Sequence, residues 1–453
     1  MAQTAPLTER KYFLPFVLVT SLFFLWSIGV NLNDVLIPHL KKAFDLSDFK
    51  SSLIQVAFFG GYFLAALPAG RLMEKIGYKK GILFGLVICA TGTLLFLPAA
   101  SSRTYGFFLF ALFVMSCGQS FLEVGANPYV TVLGPSDSSE RRLNLAQSFN
   151  AVGAALVPTL GAVFILSGIE YTPAQRAAMT PAQLSAYVAS ETKLVRGPYI
   201  VITVIFLLVA ALIYFAHLPE VQEETEADVA GNAKDLLAHS HLMKGVIAQF
   251  FYVGAQVGIG SFVIRFVKQV MPETLGAMSA WGTNFLAAPH GSLSFMTRLV
   301  PSSPEKIAAL FLVAHQTGFM IGRFAGSWMM KRIPAARLLA GFAIGALVSV
   351  TVGIGGSGLT SVLAIVLVGF FNSIMFPTIF ALSIKNLGAL TKRGSSLLVM
   401  SIIGGALIPA AMGRISDLSN IRVAFAMPLV CYAYVIFFAV SGYKTVAPRT
   451  EAK

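Results

Sequence analysis

Two carboxylates stand among apolar residues, and they are the groups in this sequence best placed to carry a proton. Asp34 lies in Val30-Asn-Leu-Asn-Asp34-Val-Leu-Ile-Pro38, and Glu123 in Phe121-Leu-Glu123-Val-Gly-Ala-Asn127-Pro128. Helical positions three or four apart meet, so Asn31 faces Asp34 and Asn127 faces Glu123. A carboxyl in a low-dielectric setting favours its protonated form. It can load a proton from a wet cavity on one side and release it on the other when its surroundings change. Side-chain amides both donate and accept hydrogen bonds, which suits a polyhydroxylated solute. Asn144, Gln147 and Asn150 place such groups at intervals of three, and Tyr252, Gln256 and Asn372 add more in the second half. Trp26, Phe58, Phe59, Tyr62, Tyr252 and Phe376 are available to stack on a sugar's apolar face. The plainer reading also stands: amides tie membrane helices together, and Asp34, nearer a span end, serves an interface or a salt bridge.

The elements that hold these groups are spans. The 453 residues are 56% hydrophobic and 12% charged, against about 25% charged in soluble proteins. Lipid replaces water as the solvent for that surface. A crossing helix needs about 20 apolar residues, and twelve stretches qualify: 13–38, 51–73, 81–100, 104–133, 143–166, 198–217, 243–267, 306–330, 336–356, 360–384, 395–413 and 423–443. The acidic stretch 218–242 is a solvated linker between a bundle of residues 1–217 and one of 243–453. Longer outside loops are expected at 169–197 and 271–305.

The net charge of +13 is explained by basic residues gathering in cytoplasmic loops, so nucleic acid is not the expected partner. Lys75, Lys79, Lys80, Arg141, Arg142, Lys331, Arg332, Arg337, Lys385, Lys392 and Arg393 crowd the even-numbered connections, which puts both termini in the cytoplasm. Arg265 and Arg323, near span ends, are expected to snorkel or pair locally, and His315 to pack. Cys89, Cys117 and Cys431 lie in apolar runs as small core residues, with no disulfide or metal site expected. No cofactor-binding pattern, phosphate loop or nucleophile–base constellation is present, so an enzyme is not expected. No cleavable leader is expected either, since the first apolar run follows Arg10 and Lys11 and exceeds a signal core.

The halves repeat. Arg142 is followed sixteen residues later by Pro158, Arg393 sixteen later by Pro409, and Pro128 matches Pro377, all at an offset near 250. Internal repeats are how many transporters frame a midplane site.

Gly70-Arg-Leu-Met-Glu74-Lys75-Ile-Gly77-Tyr-Lys79-Lys80 resembles the cytoplasmic loop motif of the major facilitator superfamily, whose turn, carboxylate and basic groups suit gating. The equivalent stretch 326–337 is degenerate. Within that superfamily the chain is similar to the bacterial fucose–galactose–glucose proton symporters. The similarity is carried by 31–38, 122–135, 142–150, 252–256, 376–380 and 384–388 and runs from about Phe13 to Tyr443. It implies an all-α fold of two pseudo-symmetric six-helix bundles, alternating access, and a monosaccharide site between the halves in a monomeric, multi-pass protein of the bacterial inner membrane. It implies Glu123 as the proton site with Asp34 assisting. It also implies a sugar cavity that includes Gln147 and Asn150, to which Asn31, Asn127, Tyr252, Gln256 and Asn372 are candidate additions. L-fucose, galactose, glucose and N-acetylglucosamine all remain in play. Two features depart from the family pattern: the long 271–305 loop, and a Glu where some glucose/galactose members carry Gln, which favours proton over sodium. A sodium-coupled symporter, a drug/proton antiporter (poorly matched by Val157-Pro-Thr-Leu-Gly161) and a non-transporting sensor (for which linker and tails leave no signalling domain) are the competing readings.

Overall fold

Lipid offers the backbone no hydrogen-bonding partner, so an apolar chain satisfies its amides within helices. In the computed structural model, all regular structure among the described residues is helical. Those residues are 6–44, 48–165, 175, 178–216, 218–219, 233–287 and 303–444. Asp34 falls on the first long helix, but its side chain lies outside the described set, as do residues 220–232 of the expected linker and 288–302 of the expected outer loop.

The helices are α1 (Phe13–Phe44), α2 (Asp48–Leu94), α3 (Phe96–Ser102), α4 (Tyr105–Val132), α5 (Ser139–Ile165) and α6 (Pro181–Phe215). A short α7 (Ala233–Ala238) leads into α8 (Ser240–Val270), α9 (Pro272–Ala287), α10 (Pro304–Met329), α11 (Ala335–Gly355), α12 (Gly358–Asn372) and α13 (Met375–Ile384). Then follow α14 (Thr391–Met400), α15 (Gly404–Leu418), α16 (Ile421–Ala424) and α17 (Ala426–Phe437). Ten stretches among the described residues are long and apolar enough to cross a membrane. The stretch Leu53–Ser102 covers the expected second and third spans, and α5 covers the expected fifth. Every one of the twelve expected spans therefore falls on helix.

Within α2 the helix breaks at Gly77, whose φ of 79° and ψ of 170° turn one span into the next. Residues with a side chain pay to adopt positive φ, which explains the glycine in the loop motif. Two expectations need correction. The first is α6, which starts at Pro181, seventeen residues before the apolar run. Thr180 and Gln183 form a reciprocal capping box with Pro181 in the first turn, so the helix begins on local capping chemistry that hydropathy does not register. The second is the 271–305 loop, which contains the sixteen-residue α9 with Glu273 in its first turn. Leu275 is buried on one side of it and Met271 just ahead of it, while Trp281 and Phe285 stack on another with centroids 5.6 Å apart.

By contacts the described chain forms two compact units. One holds the residues up to Val246 together with Phe380–Ile403, and the other holds Ile247–Ile379 with Gly404–Lys444. In the first, α2 and α4 lie so close that a Cβ on Gly118 would stand 2.5 Å from the Cys89 amide nitrogen. In the second, a Cβ on Gly322 of α10 would stand 2.5 Å from the Phe370 carbonyl oxygen of α12. Small residues at such crossings supply the dispersion contacts that replace a hydrophobic driving force in lipid. Cys89 and Cys431 are buried, Cys117 is half-buried, and all three are free thiols.

Candidate functional site

In the first unit, α4 and α5 build a buried hydrogen-bond chain. Gln147 Nε2 donates to Asn127 Oδ1 at 2.8 Å. Asn127 Nδ2 in turn donates to the Glu123 carbonyl oxygen at 2.9 Å and, in a short bond, to the Glu123 carboxylate Oε2. Glu123 is 8% exposed, Gln147 3% and Asn127 fully buried. The i, i+4 spacing on α4 sets the first link, and a second helix supplies the next. An amide that donates to a carboxylate while accepting from another amide holds that carboxyl in one orientation. On the same α4 face, one turn earlier, Gln119 Oε1 accepts from the Tyr62 hydroxyl at 3.3 Å, and Tyr62 is within electrostatic reach of Glu123. Gln119 is not among the candidates named from the sequence but was findable there: with Glu123 and Asn127 it makes a polar stripe at intervals of four. Glu191, fully buried in the part of α6 ahead of the expected span, was not.

The other predicted groups of this unit go elsewhere. Asn31 Nδ2 donates to the Ser27 carbonyl on its own helix at 2.7 Å. Asn144 Nδ2 donates to the Glu140 carbonyl at 2.9 Å, and half-buried Asn150 donates to the Phe23 carbonyl of α1 at 3.2 Å. The stripe on α5 thus splits among three partners.

The second unit has a neutral cluster. The Tyr252 hydroxyl donates to the Asn372 carbonyl at 3.0 Å, and the Tyr432 hydroxyl donates to Asn372 Oδ1 at 2.7 Å. Tyr432 sits in a plain apolar run, and no spacing marks it. Gln256, one turn beyond Tyr252, is half-buried. Arg265 is exposed beside Phe262, with 5.5 Å from guanidinium carbon to ring centroid, the local pairing expected. Arg323, 3% exposed, takes the local pairing as well, packing over Phe319 at 4.8 Å. It lies nearly two turns inside the end of α10, which closes at Met329, within a residue of where the expected span does. His315 is buried, with Nδ1 3.4 Å from the Ile365 carbonyl, as a packing histidine would be.

At the end of the first unit that carries the basic loops, the loop motif meets residues 380–403. Glu74 Oε1 pairs with Arg393 Nε at 2.6 Å, and Glu140 Oε1 with Lys385 Nζ at 2.9 Å. Lys392 stands 4.9 Å over the Tyr78 ring. Gly70 lies against α14, where a Cβ would come within 3.0 Å of the Lys392 carbonyl oxygen and closer still to Ser396 Oγ. Lys79 donates to the Tyr214 and Ala216 carbonyls at 2.9 and 2.8 Å, placing a cation on the C-terminal end of α6. Lys75 and Lys80 are exposed. No group of three His, Cys, Asp or Glu side chains suited to a metal occurs among the described residues.

Known proteins resemble this chain in sequence and fold. The sequence profile of the Major Facilitator Superfamily matches residues 19–397. The L-fucose-proton symporter of Escherichia coli is 39% identical over 95% of this chain and 93% of its own length. The glucose/galactose transporter of Brucella abortus is 38% identical over 97% of this chain and 96% of its own. A crystal structure of the E. coli fucose transporter in the outward conformation superposes with a TM-score of 0.81, covering 95% of this chain and 99% of that one. The chain belongs to the major facilitator superfamily, in the branch that holds these fucose symporters and glucose/galactose transporters.

Proposed function

We propose that this protein imports a monosaccharide, L-fucose or a related hexose, by proton symport with alternating access. The observation that carries this reading is the buried chain Gln147–Asn127–Glu123, an ionisable carboxyl fixed among amides inside membrane-spanning helices. Intramembrane carboxyls are costly and mark ion pathways. The fucose and glucose/galactose relatives, similar end to end, supply the substrate class. Glu123 is the proton-coupling residue, and Asp34 assists it. Asn31, Asn127, Gln147 and Asn150 on one side and Tyr252, Gln256 and Asn372 on the other contact the sugar, through two six-helix halves of residues 1–217 and 243–453 joined by 218–242. The protein works as a monomer in the lipid of the bacterial inner membrane, with both termini in the cytoplasm, as the loop charges favour.

On that orientation, the Glu74–Arg393 and Glu140–Lys385 pairs form a cytoplasmic gate in its closed state. Half-exposed ion pairs contribute about 0.2–1 kcal/mol each. Several together hold a gate, and each is weak enough to break once per cycle.

The test is the external pH of de-energised cells expressing the protein as single sugars are added. L-fucose, D-galactose, D-glucose, D-mannose and N-acetylglucosamine are tried in turn. Alkalinisation with one of them, lost in Glu123→Gln, is the expected result. Uptake that requires sodium and leaves the pH unchanged would overturn the proton assignment.

A further inference from the structure

Arg142 is fully buried, yet five backbone carbonyls and one serine hydroxyl, not a carboxylate, take up its guanidinium. Nε donates to the Val130 carbonyl at 2.9 Å. Nη1 donates to the carbonyls of Leu7 and Pro135 at 2.9 and 3.1 Å and to Ser138 Oγ at 2.8 Å. Nη2 donates to the Thr131 carbonyl in a short bond and to that of Gly134 at 3.4 Å. Desolvating a guanidinium is expensive, and this one gathers acceptors from three segments: the end of α4, the turn 133–138 and the N-terminal residues ahead of α1. The last of these is tied twice more. Ser138 Oγ donates to the Pro6 carbonyl at 3.0 Å, and Thr8 Oγ1 donates to the Leu133 carbonyl at 2.7 Å. Gly134, at φ 150°, admits the N-terminal segment: a Cβ there would stand 3.1 Å from Thr8 Cα and 2.8 Å from Arg142 Nη1. Everything held in this way borders the first turn of α5, where Glu140 meets Lys385.

We infer that residues 6–8 are a strap of the gate, and that Arg142 is a positioning residue that, through this strap and the 133–138 turn, aims Glu140 at Lys385. The inference rests on reading that ion pair as part of a closed gate. Thr8, Leu7 and Pro6 act by fixing the helix start that carries Glu140. Loosening the strap releases the gate without altering any sugar or proton contact.

The experiment uses the full-length transporter with Cys89, Cys117 and Cys431 replaced by serine and one reporter, Ser395→Cys, at a fully buried position on α14. Its alkylation rate by N-ethylmaleimide is measured in membranes. Lys385→Met should raise the rate several-fold by breaking the pair. Deleting residues 2–8, or Arg142→Lys, should raise it about five-fold, the effect of one or two lost hydrogen bonds on an equilibrium. Added to Lys385→Met, either change should give no further rise, because both act through the same pair. Thr8→Val, which removes only the Leu133 tie, should give about two-fold and serves if the deletion fails to reach the membrane. A rise with Lys385→Met but none with the deletion, Arg142→Lys or Thr8→Val would overturn the strap and leave the gate. Full additivity would reduce the strap to general support of the fold. No rise with Lys385→Met would overturn the gate reading itself, and the strap with it.

Discussion

The two buried polar clusters are built from different chemistry. Glu123, Asn127 and Gln147 form a chain that ends on a group able to change charge. Tyr252, Asn372 and Tyr432 form a cluster of hydroxyls and an amide whose hydrogen bonds stay neutral at any physiological pH. Under the proposed function the two divide the labour: coupling resides in the first cluster, and the second contributes shape and hydrogen bonds. A side chain that titrates makes its unit's environment depend on ion loading, whereas a neutral cluster presents the same surface throughout a cycle.

Removing the titrating group should break this comparison most severely. Glu123→Gln keeps an acceptor for Asn127 and removes the charge change. A one-proton symporter draws about 2.3 kcal/mol from each 100 mV, roughly a 50-fold concentration ratio. Steady-state accumulation in energised vesicles should fall from that order to about one, while counterflow of labelled sugar persists. Continued accumulation by Glu123→Gln would place the coupling elsewhere.

Asn372→Ala strips the neutral cluster of its central acceptor and leaves a buried tyrosine hydroxyl unpaired, at a cost of about 1–3 kcal/mol. Transport KM should rise about ten-fold with the accumulation ratio unchanged, measured on initial rates and plateaus of the same vesicles. A collapse of the plateau would erase the distinction between the clusters. Gln147→Ala takes one neutral hydrogen bond from the coupling chain and should raise KM about three-fold, with accumulation reduced only in part.

Gly77→Ala is the control outside both clusters. It forces a side chain into a φ/ψ region used almost only by glycine, at about 1–3 kcal/mol. The thermal midpoint of the detergent-purified protein should drop by a few degrees, and because this turn carries Glu74 of the proposed gate, the transport rate of the folded fraction should fall with the accumulation plateau unmoved.

The spans could be read from the sequence because lipid leaves an apolar chain few alternatives. The Glu123–Asn127 pair could be read because helical spacing alone creates it. Gln147 joined it only through tertiary packing, although its place in a stripe of amides hinted at an inward face. Tyr432 left no trace, since a tyrosine in an apolar run looks the same whether it faces lipid or a partner. Hydropathy hid α9 and the start of α6, because α6 begins on a capping box and α9 makes only sparse apolar contacts. The loop motif announced a latch, yet Arg393 as the partner of Glu74 lies more than three hundred residues away, and no local rule connects them.

Gly70 has a consequence for the evolution of such a protein. It sits where α14 leaves no room for a Cβ, with the Lys392 carbonyl and Ser396 hydroxyl directly opposite. Any change at the first or second base of a glycine codon introduces a side chain or a stop. A population grown on a toxic analogue of the transported sugar should therefore yield resistant isolates at this codon at high frequency. Their carriers would be inserted in the membrane and intact in both polar clusters, yet unable to close.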